Sequence, residues 1–150
     1  KEDIIKLKEI AKATLLLTTF YAFIVIFLFI TFPEFLLSLF LDKNLDSSTD
    51  ILNLAVLLLM FAAIFHLVDG LQASGLGLLR GIQDVQIPFL LALISYWIFG
   101  IGSGYILGFI FNIGSIGIWL GMVIGLTFAS ISLILRFYLK INSINFTVKF

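Results

Sequence analysis

The stretch whose reading decides the fold is Ile51–Leu79, ILNLAVLLLMFAAIFHLVDGLQASGLGLL. It is predominantly apolar, contains no Pro and holds a single charged residue, Asp69. A helix needs about 20 apolar residues to cross about 30 Å of hydrocarbon, and this run exceeds that length. Its apolar positions are continuous rather than alternating. Lipid offers no partner to an open strand edge, so a transmembrane helix is expected. Asp69 is then an acid in an unfavourable solvent. A carboxylate at the bilayer centre costs about 2.5–3.5 kcal/mol on insertion scales, and such groups face a water-filled cavity or a partner. Asp69 therefore marks a candidate ion or substrate pathway, unless the helix ends near Leu71 and leaves it among headgroups.

Three further runs have the same character: Ala13–Phe32, Ile87–Phe111 and Ile116–Tyr138. The composition agrees, with 61% hydrophobic residues, 12% charged residues and a mean hydropathy of +1.20. Soluble domains carry about 25% charged residues. The fold class expected is an all-α integral membrane bundle of four transmembrane helices. Residues 1–12, KEDIIKLKEIAK, set Ile4, Ile5, Leu7 and Ile10 among charges and read as an amphipathic cytoplasmic surface helix. Pro33–Leu41 is apolar but too short to span, and is expected at the opposite interface. Asp42–Asp50 is a polar turn in which Ser48, Thr49 or Asp50 would cap the second span. Residues 139–150 form a tail. The absence of Met at position 1 suggests a piece of a longer chain.

Orientation follows from the basic residues. Lys1, Lys6, Lys8 and Lys12 precede the first span, Arg80 follows the second, and Arg136, Lys140 and Lys149 close the fourth. All fall on one side of a four-helix weave, and only Lys43 falls on the other. The positive-inside rule then makes both termini cytoplasmic in a cell (inner) membrane. Glycines recur at four-residue spacing at Gly77–Gly81, at Gly104–Gly108 and along Gly117, Gly121 and Gly125. Small residues at that interval let helix backbones approach in lipid, as static packing or as a moving interface.

The chemistry-bearing residues are few. Ionised, Asp69 is a hard oxygen ligand for Na⁺; protonated, it is a carrier of H⁺, since burial raises a carboxyl's pKa. Gln72 and His66 lie three residues to either side, on the Asp69 side of the helix. Gln72 is a candidate to line the same cavity or to bond a neighbouring helix. His66 is a candidate proton relay or a neutral interhelical partner. Tyr96 and Trp97 fall mid-span, away from the interfacial belts, and are candidates to line a cavity for flat or cationic compounds. Trp119 reads as a belt anchor, and Arg80 and Asp84 as solvated loop charges. No phosphate-binding GxxxxGK[ST] motif, no metal cluster and no Cys is present, so nucleotide hydrolysis, thiol catalysis and an intrinsic metal centre are not expected. The balanced charge, nine basic against nine acidic residues, gives no footprint for nucleic acid.

Taken in order, Asp69-Gly70-Leu71-Gln72, Gly77-Leu78-Leu79-Arg80-Gly81 and Pro88 resemble the tenth-helix region of the multidrug and toxic compound extrusion (MATE) family. Tyr96-Trp97, Gly100 and Gly104-Tyr105 are similar to its eleventh helix, and Gly114, Gly117-Ile118-Trp119 and Gly121 to the start of its twelfth. The resemblance implies the last four helices of a twelve-helix transporter, within its C-terminal six-helix lobe, that exchanges drugs or organic cations for Na⁺ or H⁺. It implies a cation site at Asp69, no cofactor and no enzymatic activity. The expected partners are the bilayer, a drug substrate and the eight upstream helices. Three positions depart from the family pattern: Gly102 replaces a frequent Pro, Gln83 a frequent Gly, and Phe65 a Tyr of some cation sites. Two other readings remain: a lipid-linked sugar flippase of the same superfamily, and a non-transporting four-helix scaffold. The flippase reading calls for basic residues in a cavity, and the spans carry none short of Arg136.

Overall fold

The computed structural model describes residues 2–39 and 49–147, with side chains assigned for 4–39 and 52–143. The expected polar turn, its capping residues and Lys43 lie outside the described side chains. Five helical elements follow one another: α1 (Glu2–Thr31), α2 (Pro33–Ser38), α3 (Thr49–Gly81), α4 (Gln86–Ile110) and α5 (Ser115–Thr147). Among the described residues four helices are long and apolar enough to cross a membrane: Ile4–Thr31, Leu52–Gly81, Gln86–Ile110 and Ser115–Ser143. The chain is an all-α, multi-pass membrane protein. Large apolar side chains project outward, such as Leu17 at 69% exposure and Phe20 at 66%. Lipid solvates such a surface, whereas water would drive it together.

Each boundary has a local cause. Pro33 disfavours helical geometry at the residue before it, and Phe32 sits at φ −126°, ψ 47°, where α1 gives way to α2. Pro33 then occupies the first turn of α2, where its missing N–H costs nothing. The end of α3 is a Schellman turn. The Asp84 N–H donates to the Leu79 carbonyl at 2.9 Å, and the Gln83 N–H to the Arg80 carbonyl at 2.9 Å. That turn needs a left-handed residue, and Gln83 supplies it at φ 60°. Between α4 and α5, Asn112 (φ 55°) and Gly114 (φ 67°) reverse the chain.

The first helix is unbroken from Glu2, so residues 2–12, expected as a separate surface segment, are its opening turns. Their apolar side is packed. Ala11 is fully buried with Leu79, Leu133, Phe137 and Ile141, and Ile4 and Leu7 pack on that cluster. Lys8 Nζ donates to Asn142 Oδ1 at 2.9 Å, tying α1 to α5. At the other end of the chain α5 continues to Thr147, so the expected tail beginning at residue 139 starts as helix.

Helices pack in the spatial order α1–α3–α5–α4. The Thr18 and Ser74 hydroxyls hydrogen-bond at 2.7 Å across α1 and α3. Gly75 of α3 sits against Leu133 of α5. The α4–α5 contact is a glycine seam, with Gly100, Gly104 and Gly108 facing Gly125, Gly121 and Gly117. A methyl placed on Gly125 would lie 2.6 Å from the Gly100 Cα. Gly77 and Gly81, which share the spacing, meet nothing within 4 Å among the described residues.

Candidate functional site

Helix α4 is not a regular α-helix. Ser95–Ile101 and Ile106–Ile110 are wound as π-helix, separated by the α-turn Gly102–Tyr105. The Phe111 N–H reaches back five residues to the Ile106 carbonyl at 3.0 Å. Wide turns of this kind recur at functional sites, because they re-aim side chains and loosen the carbonyl ladder. Ser103 satisfies loosened carbonyls, donating to Phe99 and, at 3.3 Å, to Gly100. Gly102 thus sits between two widened stretches.

These widened turns form one wall of an open hollow of 610 Å³ bordered by α3, α4 and α5. Phe65 and Asp69 line it from α3, Tyr96, Tyr105 and Phe109 from α4, and Met122 from α5. Asp69 is exposed on this wall. It stands twelve residues before Gly81, about 18 Å along the axis at 1.5 Å per residue, so it is far from the end of its span. Among the described residues the rest of the lining is apolar or aromatic, and Asp69 is its one carboxylate. Such a wall suits a flat cation: the rings offer π faces, and the carboxylate offers charge.

A second hollow of 460 Å³ lies toward the α3–α4 loop, lined among others by Gln72, Arg80, Gln86 and Phe89. Among the described residues Tyr96 alone borders both hollows. Its hydroxyl lies beside the side chain of Gln72, which is only 5% exposed. The Gln72–Tyr96 pair therefore stands between the two spaces.

The sequence candidates separate accordingly. Asp69 and Tyr96 share the larger hollow, and Gln72 reaches it only through Tyr96. His66 turns toward α1, where its ring meets Tyr21 edge-on at 5.7 Å, and it lines neither hollow. Trp97 is 65% exposed on the outer face of α4 and lines neither hollow. Trp119 is half-buried and packs edge-on against Phe65 at 6.0 Å. Sequence reasoning did not single out Tyr105, Phe109 and Met122 as lining residues. Their one signal was position: they lie beside the glycines that set the α4–α5 seam.

Asp84 also departs from the solvated loop charge expected of it. It is 6% exposed and accepts from Arg136 Nε at 2.8 Å, with Lys140 Nζ at 3.2 Å. Burial pushes its carboxyl up, but the bonds and charges of Arg136 and Lys140 outweigh that and hold it below its ordinary value.

Comparison with known proteins supplies the family. The family model described as MatE matches residues 2–106. A probable multidrug resistance protein NorM of Agrobacterium fabrum is 45% identical over 115 residues, covering 77% of this chain and 25% of the relative. The probable NorM of Rhizobium meliloti is 38% identical over 136 residues, covering 91% of this chain and 29% of the relative. That of Deinococcus radiodurans is 39% identical over 105 residues, covering 70% of this chain and 23% of the relative. The chain spans about a quarter of the length of the curated relatives it matches.

Proposed function

We propose, from the premise that this chain belongs to the MatE family, that it is part of a secondary multidrug exporter whose coupling cation visits Asp69. The observation that carries this reading is a lone carboxylate, deep within a span, on the wall of an otherwise apolar and aromatic hollow. The relatives' names, multidrug resistance proteins, support the export of drugs. The lining supports an organic cation as cargo. Drug and coupling ion then compete for one negative charge, and that competition makes the exchange obligatory. The energy available is about 2.3 kcal/mol per charge per 100 mV of membrane potential.

Either H⁺ or Na⁺ satisfies this scheme. A proton needs Asp69 alone. A sodium ion needs further oxygens, drawn from water or from segments beyond this chain, because Phe65 brings no hydroxyl one turn before Asp69. The two hollows on either side of the Gln72–Tyr96 pair suit alternating access, with the pair as part of the barrier between them. The protein is a transporter rather than an enzyme on this reading. The inner membrane is its place, with the Arg80–Pro88 loop and both termini cytoplasmic. Lys8, Arg80, Arg136 and Lys140 gather at one end of the bundle, which supports that orientation. Among the described residues the larger hollow has no basic lining residue, so a lipid-linked sugar phosphate is a poorer fit.

The test is Asp69→Asn in the full-length protein, assayed for ion-driven efflux of a fluorescent organic cation. Loss of coupled efflux at unchanged expression is the expected result. Undiminished, ion-dependent efflux in Asp69→Asn would remove the carboxylate from the mechanism.

A further inference from the structure

At the end of the bundle that holds Asp84, α4 and α5 enclose a groove of 550 Å³ that is separate from both hollows. Its sides are unlike. Ile87 and Leu91 of α4 and Leu135 and Leu139 of α5 make an apolar channel, while Arg136 and Lys140 stand along it. The charges do not balance locally. Both cations approach the same oxygen, Oδ2 of Asp84, and the Asp84 side chain is 7% exposed against 25% and 37% for the two basic ones. One buried negative charge thus faces two partly open positive ones, and the groove keeps a surplus of one positive charge. Arg136 uses only Nε toward Asp84, and its two terminal nitrogens have no partner among the described residues. That leaves a planar pair of donors with the geometry that phosphate oxygens accept.

Depth points to the same ligand. Arg136 lies twenty-one residues beyond Ser115, about 32 Å along α5. A hydrocarbon core is about 30 Å thick, so the guanidinium stands at headgroup level when Ser115 stands at the opposite boundary. We infer that this groove holds an anionic phospholipid, with its phosphate on Arg136 and Lys140 and an acyl chain running inward along Leu135 and Leu91. The single phosphodiester charge matches the surplus. A zwitterionic headgroup would bring an ammonium group to a place where the one carboxylate is buried and already engaged. The inference does not depend on what the protein transports.

The test uses the purified full-length protein, with bound lipid counted by native mass spectrometry after exchange between phosphatidylglycerol and phosphatidylcholine of equal chain length. The wild-type protein is expected to retain phosphatidylglycerol preferentially. Lys140→Gln keeps the Asp84–Arg136 bond and is expected to lower that preference about fivefold, the effect of about one basic residue at an anionic surface. Asp84→Asn releases both cations and is expected to raise the preference, the opposite of what loss of folding would do. Lys12→Gln, a cation outside the groove, should change nothing. Unaltered phosphatidylglycerol preference in both Lys140→Gln and Arg136→Gln would overturn the assignment. So would full competition by soluble glycerol phosphate, which would make the groove a site for a free phosphate ester.

Discussion

Replacing Gly121 by Ala should destabilise this bundle strongly, whereas the same change at Gly77 should stabilise it. Both glycines belong to four-residue repeats, so the repeat itself does not distinguish them. A methyl on Gly121 would fall onto the Cα and N of Gly104 and lie 2.9 Å from the Gly100 carbonyl oxygen. Ordinary contact begins near 3.4 Å, so α4 and α5 must part or slide, and backbone atoms have no rotamer to give. A gap of 0.5–1 Å already forfeits about a quarter to a half of each contact's attraction along the seam. Overpacking of this kind costs about 1–3 kcal/mol, and the upper end applies where the obstacle is backbone that cannot move aside. About 3 kcal/mol is roughly a hundredfold in the folding equilibrium. Gly77 meets nothing within 4 Å among the described residues, so Ala there adds only helix propensity, a gain of about 0.8–1.0 kcal/mol. The two variants should thus differ by about 4 kcal/mol in opposite directions from wild type. Unfolding of the full-length protein in mixed detergent micelles measures this directly. A Gly121→Ala protein as stable as wild type would show that the glycine seam is not what holds α4 against α5.

Three other outcomes follow from the same geometry. Gln83→Gly should raise stability by about 1 kcal/mol, because the left-handed turn closing α3 strains any residue with a Cβ; a fall in unfolding temperature would contradict this. The Asp84 carboxyl is held below 3.8, its ordinary value. A depressed carboxyl contributes stability that is whole above the unfolded value and fades as pH falls through the folded one. Wild-type protein should therefore lose stability below about pH 4 more steeply than Asp84→Asn, and parallel pH profiles would count against the bridge. Tyr96→Phe removes the partner of buried Gln72 and should slow efflux about threefold at unchanged expression, in keeping with the ~0.6 kcal/mol typical of interhelical bonds in membranes; a transport rate equal to wild type would take that pair out of the barrier.

The spans were legible because lipid enforces them. Every residue that faces hydrocarbon must be apolar and every backbone group must be paired, so length and hydropathy pointed to spanning helices, and among the described residues α1, α3, α4 and α5 are long and apolar enough to span. Asp84 was not legible for a related reason. In sequence it is an acid in a short polar loop, and its partners Arg136 and Lys140 lie 52 and 56 positions later. Nothing local distinguishes a solvated loop acid from one enclosed by a helix that returns much later in the chain. The opening turns of α1 show the same limit. An apolar stripe among lysines fits a membrane surface and a protein groove equally well, and here Ala11 fits a hole that α3 and α5 create together.

Side-chain direction was the harder problem, and helix geometry explains why. At 3.6 residues per turn each residue advances about 100°, so a step of three returns short of a full turn by about 60°. His66, Asp69 and Gln72 therefore fan across about 120° instead of sharing a line. That arc is wide enough for one helix to serve three neighbours: Tyr21 of α1, the larger hollow, and Tyr96 of α4. In α4 the shift is larger, because the wide turns at Ser95–Ile101 break the α period where Tyr96 and Trp97 sit. Adjacent in sequence and alike in chemistry, one ring borders both hollows and the other faces outward. Hydropathy cannot sort them, since lipid and an aromatic hollow favour the same side chains. What sorts them is the contact between Gly100, Gly104 and Gly108 and the glycines of α5, which fixes the rotation of α4. The residues that aim the candidate site are thus the smallest in the chain, and the site's chemistry stands one helical step to the side of them.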